Sequence, residues 1–93
     1  MTSIRRIENK IYRIEGFEVR ILHPDGRDVR ADRQNMPSYA FQRKAKDSMT
    51  VKQWIDQRFK KLYPGFRVEV LDWYGHVQHG KTQLERVRDS FFE

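Results

Sequence analysis

Apolar residues recur along the chain with two different periods, and the change of period marks the elements. Ile4, Ile7, Ile11 and Ile14 repeat at helical spacing, while residues 10–15 also read as an extended segment that ends in a bulge at Gly16, so the N-terminus stays open between helix and strand. Phe17, Val19 and Ile21 then alternate with Glu18 and Arg20, the signature of a strand with one face in water. His23-Pro24-Asp25-Gly26-Arg27 is a turn, because Pro fixes φ and Gly tolerates a positive one. Val29 and Ala31 predict a returning strand over 27–33, and Tyr39-Ala40-Phe41-Gln42-Arg43 a third.

The second half reads as helix, strand and helix. Thr50 and Gln53 form a capping box, with Met49 placed to staple onto Trp54. Val51, Trp54, Ile55, Phe59 and Leu62 then make one apolar stripe that Pro64 ends. Tyr63-Pro64-Gly65-Phe66 fits a type II turn. Phe66, Val68 and Val70 alternate as a strand, and residues 77–79 return antiparallel after a turn at Gly75. Thr82 and Glu85 repeat the capping signature ahead of a stripe of Leu84, Val87 and Phe91. The pattern predicts one α+β domain over residues 1–93, an antiparallel sheet of about four to five strands with two helices packed on one face.

Composition narrows what such a domain does. With 93 residues the chain is too short for the large enzyme folds, and its twelve aromatics can carry a small core despite only 38% hydrophobic residues. The absence of cysteine removes disulfide frameworks and thiolate metal sites. No apolar run reaches the ~20 residues of a membrane span, and the early charges Arg5, Arg6, Glu8, Lys10 and Arg13 do not suit a signal peptide, so the expectation is a cytoplasmic protein without a membrane partner.

The net charge of +6 is unevenly placed. Residues 43–61 hold seven cations and two carboxylates, whereas residues 62–93 are net −1. A basic loop running onto a basic helix face suits phosphate contacts, which give affinity without sequence readout. Arg43, Lys44, Lys46, Lys52 and Lys60 are therefore the expected nucleic-acid-binding residues. Arg58 falls inside the apolar stripe, so its stem is expected to be buried while its head snorkels or pairs.

Residues 75–82, Gly-His-Val-Gln-His-Gly-Lys-Thr, match the phosphate-loop pattern letter for letter. Only eleven residues follow Thr82, too few for the crossover and parallel strand that the motif requires, so it is read as a turn plus a helix cap and no nucleotide is expected. His76 and His79 would face opposite sides of a strand and form no chelate. No metal, cofactor or catalytic residue is assigned. His23, Tyr39, Arg43 and the late histidines retain the inventory of a small toxin-type ribonuclease as one alternative.

A second alternative is a homodimeric interaction module without nucleic-acid binding. Trp73, Tyr74 and Phe92 are its expected interface, since aromatics at a turn and near the end of the chain anchor partners. The stretches over 12–22, 25–30 and 63–72 resemble small bacterial proteins carried on mobile gene cassettes in integrons. That resemblance covers most of the chain. It implies a stand-alone cytoplasmic protein of accessory role and assigns no functional residue.

Overall fold

The structure is a computed structural model, and it describes residues 2–29 and 35–92. Its N-terminal stretch resolves to a helix, α1, over Ile4–Glu15. Ser3 caps it by accepting the Arg6 N–H at 3.3 Å. Gly16 ends it at φ 84°, a left-handed conformation that favours glycine, and its N–H reaches the Tyr12 carbonyl at 2.9 Å. The extended reading of 10–15 with a bulge at Gly16 is thus replaced by a helix and its C-terminal cap. Ile4, Ile7, Ile11 and, unexpectedly, Glu15 form the buried stripe.

Two strands follow, β1 over Glu18–Leu22 and β2 over Arg67–Leu71, paired antiparallel with Glu18 opposite Leu71 and Leu22 opposite Arg67. Between them in sequence lies one unbroken helical segment, α2, over residues 51–62: α-helical at Val51–Trp54, a π-helical turn at Ile55–Phe59, and α-helical again at Lys60–Leu62. Both halves of the Thr50–Gln53 capping box form, at 2.9 and 3.2 Å. The last helix, α3, covers Leu84–Asp89 and continues as a 3₁₀ turn at Ser90–Phe92.

Among the described residues the sheet therefore has two strands and the fold three helices, still α+β, and not four to five strands under two helices. The expected extra strands failed for separate reasons. The turn at 23–27 forms, with the His23 N–H on the Arg27 carbonyl at 2.8 Å, but its return arm adds one isolated bridge, Leu22 to Asp28. Of that arm only residues 27–29 are described, and residues 30–34, Ala31 among them, lie outside. The 77–79 stretch likewise gives a single bridge, Leu71 to Val77, because its one apolar side chain has no core to enter and stays exposed. The 39–43 stretch buries Tyr39 and then hands the Ala45 N–H to a carboxylate instead of a neighbouring strand.

Two turn details also differ. Positive φ occurs at Gly16, Gly26 and Gly75 but not at Gly65, so the Tyr63–Phe66 turn, closed by a 3.1 Å bond, is not type II. Thr82 does not cap α3. The cap position is Gln83, and the Leu84 and Glu85 N–H groups donate to the carbonyls of Met49 and Asp47 at 2.8 and 3.1 Å. Backbone from the loop before α2 thus satisfies donors that a side chain was expected to satisfy.

Helices and sheet close over a core in which Phe17 meets Trp54 edge-on at 5.1 Å and Trp54, Phe59 and Tyr63 stack in sequence. No helix among the described residues is long and apolar enough to cross a membrane.

Candidate functional site

Charge is organised in two ways in this molecule, one buried and one exposed. The buried arrangement centres on Glu15, which is fully inaccessible at the C-terminal end of α1. A carboxylate there requires partners on both oxygens, because desolvating an unpaired charge is prohibitively costly. Oε1 accepts the Ala45 N–H at 2.8 Å and Arg88 Nη2 at 3.2 Å. Oε2 accepts Arg58 Nη1 at 2.8 Å and the Tyr39 hydroxyl. Trp54 donates its indole N–H to the same hydroxyl at 3.2 Å. Burial, and then the neighbouring carboxylate, push the Tyr39 phenol well above the ordinary tyrosine range, which keeps its proton in place to donate.

The two arginines tie distant segments to this point. Arg88 donates from Nε to the Glu15 carbonyl at 2.5 Å, so it also satisfies the end of α1, and from Nη1 to Asp47 at 2.7 Å. Arg58 donates to the Arg43 carbonyl at 2.6 Å, and its guanidinium lies 4.4 Å from the centre of the Phe41 ring. The π-helical turn aims inward both Phe59, into the core, and Arg58, onto Glu15. Sequence reasoning placed the Arg58 stem correctly but missed Glu15 and Arg88, although each lies on the apolar stripe of its own helix.

The exposed arrangement lies on the other side of α1. Arg6, Lys10 and Arg13 follow one another at spacings of four and three residues, so they share a face. With Thr2, Asn9, Ser38 and Tyr39 they line a cleft of about 510 Å³ between α1 and the 36–39 segment. Exchange of backbone bonds between Thr2 and Met36, at 2.8 and 3.1 Å, holds that segment against the helix. No carboxylate among the described residues lines the cleft, and none pairs with these three cations. Such a cleft can take a phosphate or another oxyanion.

The residues singled out from sequence separate into groups. Arg43, Lys44 and Lys46 lie on the exposed loop that Ala45 anchors to Glu15, next to the end of α1. Lys52 and Lys60 line a different groove of about 350 Å³, against β2, together with Asp56 and Glu69, and Lys60 is 3.7 Å from Asp56. That mixed groove lacks the one-sided charge of the α1 cleft. Trp73, Tyr74 and Phe92 are exposed at 60%, 69% and 84%.

Five of the eight backbone N–H groups of the phosphate-loop-like stretch are engaged internally. The N–H groups of Gly75, His76, Gln78, Lys81 and Thr82 go to the Asp72 carbonyl, Asp72 Oδ1, the Val70 carbonyl, His79 Nδ1 and the His79 carbonyl. Its flanking strand, moreover, is antiparallel to its neighbour. His76 faces Asp72 at 3.9 Å, and no cluster of three or more metal-ligating side chains occurs among the described residues. His23 sits beside Phe66, while Tyr39 is committed to Glu15, so the ribonuclease inventory is dispersed. No protein-family model, curated protein or solved structure matches the chain.

Proposed function

We propose that the protein binds the phosphate backbone of a nucleic acid through the outer face of α1. The observation that carries this reading is the cleft in which Arg6, Lys10 and Arg13 converge with no carboxylate among its described lining residues. Three like charges on one helical stripe cost the helix a few tenths of a kcal/mol per neighbouring pair, a cost that a bound polyanion removes. Arg43, Lys44 and Lys46 extend the positive surface from the end of α1, where Ala45 fixes the loop. Lys52 and Lys60, beside Asp56 and Glu69, contribute less.

The test is binding of a labelled oligonucleotide at rising salt. Binding that weakens steeply with salt, and that falls about tenfold for Lys10→Glu or Arg13→Glu but little for Lys52→Glu, supports the reading. Unchanged affinity in the α1 variants, or no binding at the lowest salt, overturns it.

A further inference from the structure

We infer that the ligand of this face is single-stranded nucleic acid, held by bases stacked on an aromatic row beside the cleft. The inference rests on the phosphate-binding reading and adds the substrate class.

The row is built on α1. Tyr12, exposed at 42%, lies 5.6 Å from Phe91, and Phe91 lies 5.9 Å from Trp73 in an edge-on arrangement. Trp73 is fixed by its backbone N–H, which donates to Ser90 Oγ at 3.0 Å, and that hydroxyl donates in turn to the Val87 carbonyl at 2.7 Å. The main chain at Trp73 is therefore fixed, and its indole rests edge-on against Phe91 while 60% of the residue stays in water. The ring contacts stabilise the monomer only modestly and leave flat apolar faces in water, which a ligand with flat apolar faces of its own would cover.

Its neighbourhood selects the ligand. Tyr12 is adjacent in sequence to Arg13, and one residue along a helix turns the side chain by about 100°. The aromatic row and the cationic cleft are thus neighbouring stripes of one helix; Asn9 lines the hollows on both sides, and Glu8 and Glu18 also line the one beside Tyr12. Of these two carboxylates, Glu8 is already engaged, because it accepts the Ile21 N–H at 3.0 Å. A positive track beside aromatic platforms is the arrangement that binds unpaired strands, where phosphates follow the charge and bases stack. A duplex keeps its bases stacked on one another and leaves the row unused.

Trp54 is fully buried, so quenching of tryptophan fluorescence reports on Trp73. The full chain is titrated at low salt with a dT oligomer, a U oligomer, a duplex of equal length, and polyphosphate of equal charge. The expected result is quenching by a single-stranded oligomer and at least tenfold tighter binding of it than of duplex or polyphosphate. That preference should fall by about tenfold in Tyr12→Ala, by quenching, and in Trp73→Ala, by anisotropy of a labelled oligomer. Equal binding of all four polyanions without quenching overturns the inference and leaves phosphate binding intact; no binding of any overturns both. Self-association that Trp73→Ala abolishes, with no quenching by oligomers, overturns it in favour of an interface between copies of the chain.

Discussion

Arg58 and Arg88 carry the same group as Arg6 and Arg13, yet the two pairs do opposite work. In the first pair Arg88 is buried and Arg58 half-buried, and both are ion-paired, each guanidinium dividing its donors between Glu15 and a second acceptor. The second pair is exposed and has no ion pair among the described residues. Burial raises the strength of charge interactions and the penalty for leaving one unmet, so the inner arginines hold segments together. Water weakens the outer ones and leaves them free to meet a phosphate. The inner cluster also determines where the outer charges lie, because Glu15 holds Ala45 between Lys44 and Lys46.

The largest expected effect separates the two sets. Arg88→Ala removes one of the two arginines paired with the buried Glu15, leaves Arg58 as its one remaining cation and leaves the end of α1 with an unmet carbonyl, and should cost about 3 kcal/mol in urea unfolding. A loss below about 1 kcal/mol would show that the inner arginines behave like surface ones. Lys10→Glu should do the converse, leaving stability within about 0.5 kcal/mol while weakening oligonucleotide binding about tenfold. A matching loss of stability would erase the distinction.

The tyrosines probe the inner region further. Tyr39 and Tyr63 both have phenols pushed upward by burial, so the folded chain keeps protons that the unfolded chain releases near pH ~10. Their contribution is intact below that pH and is lost as the pH rises above it. Part of the tyrosinate absorbance should therefore appear together with loss of the helical circular dichroism, and its appearance in a folded chain would contradict the burial. The smallest effect is expected at Glu8, whose carboxyl is raised chiefly by desolvation. A raised carboxyl costs stability above its folded pKa and not below the unfolded one. Glu8→Gln, which can still accept the Ile21 N–H, should thus raise Tm slightly at pH 7 and not at pH 3.

Much of this was legible in the sequence where a local rule was also the final arbiter. The Thr50–Gln53 box, the stop at Pro64, the turn at Gly26 and the alternation of β2 all depend on neighbours within a few residues. Thr82 shows where that fails: its capping pattern was sound, but the Asp47 and Met49 carbonyls reached the same donors first. Glu15 and Arg88 left a readable trace, since a charge on an apolar stripe demands a buried partner. No spacing rule says that the partner stands 73 positions away.

The sequence by itself determined the stripes, the Thr50–Gln53 cap and the excess of positive charge, because periodicity and side-chain chemistry act locally. Tertiary structure decided which arginines would be framework and which would be surface. It also decided that α1 should place its cations beside an aromatic row assembled from Tyr12, Trp73 and Phe91. Burial and long-range pairing are properties of the packed chain, and the same guanidinium takes either role according to how much water is left around it.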